Sequence, residues 1–395
     1  TFVFDDGWMA RSGDWCPDSA ACPEPRAGTS PKFGPRFPDD HFGAVKAKLD
    51  EAGIKLGLWM NPMEFHPSSV AFQQNPQWSC APVGTATAAA NVADPESGSQ
   101  EAGIGVWNPL AWGLSPDTGQ PTRLIDHIES RIRRAIDDYG ARFFKFDFLA
   151  FADCAGVEPV DMYTYHDAFV AMLDRVIADH RDVTYEIDDT NDYRMFPFET
   201  IARGPSWYQN GGPTFAEQMH NVWKLAPFVP GYALGQRMLA NRTLGIDTMM
   251  SAAINSHLTF SQEVDHNFTD AERDQIAKWT SFYKQNRDTL ATFAYPLLSD
   301  PSAKTWTAMQ PWNEDTESGW LLAYNQSSEE SKRVIPLRGL GGVPADRMFS
   351  LTRIDPATGA QTDLGERSAG ELRTLGQPVD IDHPNGYAII RVVRA

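Results

Sequence analysis

Lys145-Phe146-Asp147 sets an ammonium and a carboxylate two residues apart inside an otherwise apolar and aromatic run, Arg142 to Leu149. Bounded by Gly140, that run is predicted to be a strand buried on both faces, as in a parallel sheet. Residues two apart on a strand share a face, so the two charges point to one side and need partners or a wet end to face. In a barrel of parallel strands, Asp147 would stand at the C-terminal rim, where the chemistry usually sits. The plainer alternative is a buried Lys–Asp pair that fixes strand register.

Two other strand exits are rich in acids. Thr1-Phe2-Val3-Phe4 runs into Asp5-Asp6-Gly7-Trp8, where the glycine lets the chain turn and the acids point at whatever binds, unless they only cap the next helix. Val183-Thr184-Tyr185-Glu186-Ile187 runs into Asp188-Asp189-Thr190-Asn191-Asp192-Tyr193-Arg194. Asp188, Thr190 and Asp192 have calcium-loop spacing, but the glycine and glutamate that complete such a loop are missing, so no metal site is expected. No phosphate-cradling glycine loop, nucleotide fingerprint or histidine-based metal cluster is visible, so the chain calls for no cofactor. His66, His166, His220, His257 and His266 are scattered and read as packing or surface residues.

The elements that must position these residues recur as strand-then-helix units. Ile54 to Trp59 is predicted to be a strand running into Met60-Asn61-Pro62, after a helix capped by Asp39 or Asp40 and stopped by Gly53. Residues 63–121 form a long irregular excursion, of a length that usually serves as a lid or subsite wall. Leu124, Ile125, Ile128, Ile132 and Ile136 keep helical spacing, as do Phe169, Met172, Leu173, Val176 and Ile177. Weaker strands are predicted at Phe198–Ala202 and Phe228–Leu234, the apolar run Met249–Phe260 leads to a polar exit, and a helix spans Asp270 to about Leu290. This argues for a parallel α/β barrel of the (β/α)8 type over residues 1–298. Only seven strands are found where closure wants eight, so one was missed or lies before Thr1. Short alternating stretches in 299–395 predict a C-terminal antiparallel β-sandwich.

Length and composition fit that frame. The 395 residues suffice for a barrel and a smaller domain, and 42% are hydrophobic. Twelve tryptophans and eleven tyrosines suit a site that stacks flat ligands such as sugar rings. A net charge of −18 makes nucleic acid and anionic membranes poor partners. No apolar run approaches the roughly 20 residues of a membrane helix. Cys16 and Cys22 share a loop and could bridge; Cys154 reads as barrel packing rather than a nucleophile. The compartment stays open between secreted and cytoplasmic. There is no initiator methionine, and Thr1 already opens a strand-like run, so upstream sequence is expected.

Several of these motifs together resemble glycoside hydrolase family 36, the melibiase type of α-galactosidase, which shares a clan with family 27. Asp5-Asp6-Gly7-Trp8, Gly13-Asp14-Trp15, Phe37-Pro38, Gly57-Leu58-Trp59-Met60-Asn61-Pro62 and Asn75-Pro76-Gln77-Trp78 stand in that family's order. Lys145-Phe146-Asp147 is similar to its Lys-aromatic-Asp nucleophile motif, and together the motifs cover about residues 1–265. In that family the Asp-Asp-Gly-Trp strand is the second of the barrel. The resemblance thus implies a first strand and a β-sandwich before Thr1.

It also implies retaining hydrolysis of α-linked galactosides, with Asp147 as nucleophile and a second carboxyl group as acid/base. Lys145, Asp5 and Asp6 would bind sugar hydroxyls, Trp8, Trp59 and Trp207 would line the pocket, and Arg194 matches the family arginine. The expected partner is an oligosaccharide or glycoconjugate substrate. Family members are often oligomers, so a homo-oligomer is a further expectation.

The chain departs from the pattern at two places. Asp188 to Asp192 replaces a Cys-Ser-Ser-Gly-Gly segment, and Asn210 stands where the family acid/base would be. Asparagine cannot donate a proton as a carboxylic acid does. Either Asn210 is an engineered Asp→Asn change, or the acid has moved to Asp188, Asp189 or Glu199, or the protein binds sugars without cleaving them. A relocated acid, with Asp189 ahead, is favoured because Gln209 and Gly211 depart from the motif as well. A different sugar (N-acetylgalactosamine or a pentopyranose) or transglycosylation keeps the same fold.

Overall fold

The computed structural model describes residues 1–5, 7–9, 11–17, 41–66, 69–80, 105–147, 149, 162–187, 198–209, 215–238, 244–260, 267–327 and 329–395. The chain divides into two compact units, Thr1–Ser206 and Trp207–Ala395.

In the first unit, β1 (Phe2–Phe4), β2 (Leu56–Met60), β3 (Phe143–Phe146) and β4 (Thr184–Ile187) lie side by side in chain order, all parallel. β5 (Ser206–Gln209) joins through Ser206, which pairs with Ile187. Helices α1 (Gly43–Glu51), α2 (Leu124–Asp137) and α3 (Met162–Asp179) fall between successive strands, as parallel pairing requires. The reason is visible in β3. Phe144 and Phe146 stack with Tyr185 of β4, and Phe146 meets Phe169 of α3 edge-on at 5.7 Å, so one face of the sheet is sealed by aromatic packing. The other face carries Lys145. On α2, Leu124, Ile125, Ile128, Ile132 and Ile136 are all buried, as their spacing predicts.

Several expectations need correction. α1 begins at Gly43, with Phe42 at its N-cap in a left-handed conformation; Asp39 and Asp40, expected to cap it, lie outside the described residues. Phe198–Ile201 is a short helix, not a strand. The sheet is rejoined only past Gly204, where a Cβ atom would lie 2.0 Å from the Tyr185 carbonyl oxygen. That close backbone approach puts the next strand at Ser206. The excursion 63–121 is also less irregular than predicted. Its described parts hold a three-stranded antiparallel patch, a helix at Val70–Gln74, and a hairpin of Trp112–Leu114 with Pro121–Arg123.

In the second unit, α4 (Phe215–Leu225) precedes a parallel pair, β6 (Leu234–Met238) and β7 (His257–Phe260), separated by α5 (Ile246–Ala253). The strand expected at Phe228–Leu234 is displaced to β6, because Pro230 lacks a ladder donor and a 3-10 turn follows it. Met249–Phe260 splits into the end of α5 and β7; a run apolar on all sides does not distinguish helix from strand. α6 (Asp270–Leu290) begins at a capping box in which Thr269 and Glu272 bond reciprocally. Beyond it lies a six-stranded antiparallel sheet. Ala294–Leu298, Trp306–Asn313, Ser318–Asn325, Gly386–Arg394, Met348–Ile354 and Gln361–Ser368 follow in spatial order, and a separate ribbon pairs Lys332–Ile335 with Gln377–Asp380.

The described residues thus contain seven parallel strands, the number expected. A closed eight-stranded barrel is not formed among them, since β1 has a strand neighbour on one side only. Cys16 and Cys80 each take part in a disulfide bond; Cys22 and Cys154 lie outside the described residues.

Candidate active site

Register assembles the site. Phe4 pairs with Leu58, Trp59 with Lys145, and Lys145 with Glu186. Asp5, following Phe4, therefore stands level with Trp59, Lys145 and Glu186, and in-register residues of parallel strands share a face. Asp147 lies two residues further along the same face, its backbone N–H donating to the Met60 carbonyl at 2.9 Å. One row across four strands and one residue above it gather three carboxyl groups, an ammonium and an indole.

The polar contacts are specific. The Lys145 ammonium donates to Asp5 Oδ2 at 3.3 Å and lies 3.8 Å from Asp147 Oδ2. Trp59 Nε1–H donates to Asp147 Oδ2 at 2.8 Å, and Trp8 Nε1–H donates to the Trp59 carbonyl at 2.6 Å. The side chains of Lys145 and Asp147 are 14% and 15% exposed, while that of Asp5 is 60% exposed. The cluster is open at the Asp5 side and closed around Asp147. Two of the predicted aromatics are packed tightly: Trp8 and Trp59 are 2% and 3% exposed, and the Trp8 ring lies 5.7 Å from Phe42.

Glu186 was not singled out from the sequence, yet it belongs to this row and is only 2% exposed. Burial pushes its carboxyl up to about 8; the Lys145 ammonium pulls it down, and the Asp5 and Asp147 carboxylates push it further up. The available signal was an acid set between apolar residues in a strand, the same oddity that exposed Lys145.

Other motif residues build the wall. Asp14 accepts from the backbone N–H groups of Val70 and Ala71 at 3.0 and 3.1 Å. Trp15 Nε1–H donates to Asn61 Oδ1 at 3.4 Å, and Asn61 Nδ2 donates to Ser12 Oγ at 3.0 Å. Gly13 has φ +99°, and a Cβ there would meet Ser69 Oγ and Trp107 at 3.1 and 3.2 Å. Asn75 clasps Leu114, donating to its carbonyl at 2.9 Å and accepting from its N–H at 2.7 Å. Gly13-Asp14-Trp15, Asn61 and Asn75 thus hold the excursion together rather than face the row.

Of the remaining predicted residues, Asp6, Asp188, Asp189, Arg194, Glu199 and Asn210 are not placed by their side chains: all but Glu199 lie outside the described residues, and Glu199 is described only in its backbone, on Phe198–Ile201. Trp207 lies on β5. Among the described residues, no group of His, Cys, Asp or Glu is arranged to hold a metal ion, and no helix is long and apolar enough to cross a membrane.

No protein-family model matches the chain. A probable α-galactosidase G of Emericella nidulans is 29% identical over 86 residues, 19% of this chain and 11% of that protein. Among solved structures, the α-galactosidase of Lactobacillus brevis has a TM-score of 0.72 at 16% identity. A GH36 α-galactosidase variant of Geobacillus stearothermophilus in complex with raffinose has 0.71 at 15%. Both likenesses cover 100% of this chain and 50% and 51% of those chains, so the chain spans about half the length of the solved relatives it matches. A maltogenic α-amylase of Thermotoga neapolitana is more distant, with a TM-score of 0.53 at 10% identity. The resemblance read in the motifs and the likeness of the whole chain agree: its fold is that of solved family 36 α-galactosidases, along half of their length.

Proposed function

We propose that this chain is the catalytic part of a retaining glycoside hydrolase that cleaves terminal α-linked galactose-type sugars through a covalent glycosyl-Asp147 intermediate. The observation that carries this reading is the Asp147 carboxylate itself. It stands just past the C-terminal end of β3, oriented by the Trp59 N–H, with the Lys145 ammonium between it and Asp5. A fixed, charge-complemented carboxylate at a strand exit is the equipment a glycosyl nucleophile needs.

In the first step Asp147 forms a bond to the anomeric carbon as the bond to the aglycone oxygen breaks, and a carboxylic acid protonates that oxygen. In the second step the same group, now ionised, takes a proton from water, whose oxygen displaces Asp147 and restores the configuration. Asp189 is assigned this acid/base role and Asp188 is the nearest alternative; both follow Glu186 at the exit of β4. Asn210 is not assigned it, because an amide does not donate as a carboxylic acid does. Asp5, with Asp6, Lys145 and Arg194, grips sugar hydroxyls, while Trp8, Trp59 and Trp207 shape the pocket. Oligosaccharides of the raffinose and stachyose type, present in complexes of the Geobacillus relatives, are the proposed substrate class.

The test is turnover of an aryl α-galactoside, read beside mass spectrometry after exposure to a 2-deoxy-2-fluoro glycosyl trap. An activated aryl group leaves with little acid help, so Asp147 is probed independently of the acid. An adduct on the peptide containing Asp147 supports the reading. Absence of both adduct and turnover across several aryl α-glycosides overturns it.

A further inference from the structure

Lys145 pairs in register with Glu186 on the adjacent strand, so an ionised Glu186 would be the carboxylate closest at hand for its ammonium. The ammonium goes elsewhere. It reaches past Trp59 to Asp5, two strands away, at 3.3 Å, and stays 3.8 Å from Asp147. Among the described residues the Glu186 carboxyl takes part in no hydrogen bond or ion pair, although it is buried. A buried, ionised carboxylate bypassed by the cation beside it would be very costly, whereas a neutral carboxylic acid is bypassed cheaply.

We propose that Glu186 is a positioning residue for the reaction, leaving the Lys145 ammonium to Asp5 and Asp147 only while its own carboxyl is uncharged. This rests on the roles given above to Asp147 and Lys145. Glu186 lies one row below Asp147, within β4 rather than past its end, and is buried, so it is not given the role of protonating the leaving group. Among the described residues, the charged groups that face it are Lys145 and Asp147 from β3 and Asp5 from the end of β1, with the Trp59 indole of β2 between. Burial first, then Asp5 and Asp147, hold its proton on up to about pH 8. Above that, a third carboxylate competes for one ammonium, and the charge beside the nucleophile is lost.

The experiment compares wild type with Glu186→Gln, the isostere of the neutral acid, on an aryl α-galactoside across pH. Wild-type kcat/KM is expected to fall about tenfold per pH unit above about 8. The variant should lack that alkaline limb while staying within about threefold of wild type near pH 6. An unchanged limb, or an equal loss at every pH, overturns the proposal. A second arm needs no substrate. Unfolded Glu186 ionises above its ordinary 4.5 and the folded form only near 8, so stability present at low pH is lost as pH rises through that window. The melting temperature of E186Q should therefore gain on wild type between those limits. If wild type turns over no α-glycoside, the proposed function fails, while the melting arm still decides the charge of Glu186. A constant gap overturns the inference, and so does an E186Q protein that cannot fold, since a neutral isostere must fit.

Discussion

Asp14 and Glu186 are both acids withdrawn from water in the same unit, 5% and 2% exposed, and burial raises the proton affinity of both. They differ in what answers them. Asp14 has an N–H of Val70 on one oxygen and an N–H of Ala71 on the other, with the Arg131 and Arg11 cations adding a weaker pull toward the charged form. Glu186 has carboxylates for company and one ammonium that reaches past it. The first is an acid whose bonds are spent on the fold, tying the loop of Gly13 to the helix Val70–Gln74. The second stores an unmet electrostatic demand next to Asp147. Burial alone therefore does not mark a functional acid; the identity of its partners does.

The sharpest way to break this contrast is to remove the residue that Glu186 is proposed to serve. Asp147→Ala should lower kcat/KM on an aryl α-galactoside by about 10⁴-fold or more, while the melting temperature moves by no more than about 3 °C. A variant that retained turnover would take Asp147 out of the reaction, and with it the meaning of the row.

Next in size is Asp14→Ala. It leaves two backbone donors without their acceptor in a buried place, which costs about 2–3 kcal/mol of stability. Denaturant unfolding should show that loss, and kcat per folded molecule should be nearly unchanged. If kcat fell with stability intact, Asp14 would belong with Glu186, and the distinction between the two acids would be gone.

What was legible in advance follows the same line. Lys145, Asp147 and Asp5 were readable because charges at an apolar strand or its exit are costly and ask for a reason. The hydrophobic spacing of α2 and α3 was equally plain. Glu186 escaped although it sits in a predicted strand, because its significance comes from register with Lys145, 41 residues away, and register between distant parallel strands is not written in local spacing. The strands misplaced at 198–202 and 228–234 failed for another reason. Short apolar segments fit helix, turn or strand equally well, and the deciding contacts, such as Gly204 against the Tyr185 carbonyl, are long-range. Asp14 and Asn75 were noticed as parts of family motifs. Their roles as ties within the excursion became visible only with their partners.

Trp59 sits between the two kinds of role and sharpens the comparison. It is buried like a core residue, yet its indole N–H is given to Asp147. Trp59→Phe keeps an aromatic ring and removes that donor. If the bond orients the nucleophile, kcat should fall about tenfold with KM little changed, since about 1.4 kcal/mol of transition-state stabilisation is lost. Should Trp59 only fill space, stability alone will fall, by about 1–2 kcal/mol for the cavity left behind.

The smallest expected effect comes from an acid with an ideal partner but no burial. Asp174 of α3 accepts from Arg203 through both oxygens, at 2.6 and 2.7 Å. The Arg203 hydrogen bonds hold its carboxyl below the usual range. The sign is opposite to that of Glu186: the stability from this pair is present above pH 3.8 and is lost as pH falls through the lower, folded-state value. With 52% of the Asp174 side chain exposed, solvent screens the pair, and Asp174→Asn should cost no more than about 0.5–1 kcal/mol, less at high salt. Melting curves at pH 3 and pH 7, with and without added salt, check this. Three acids then separate by environment: geometry without burial gives a small, acid-labile contribution, and burial with backbone partners gives a large one. Burial beside an ammonium that serves other carboxylates gives an alkaline switch. A large, salt-independent loss in Asp174→Asn would mean that geometry alone suffices, and that partner identity is a weaker guide than the Asp14–Glu186 contrast suggests.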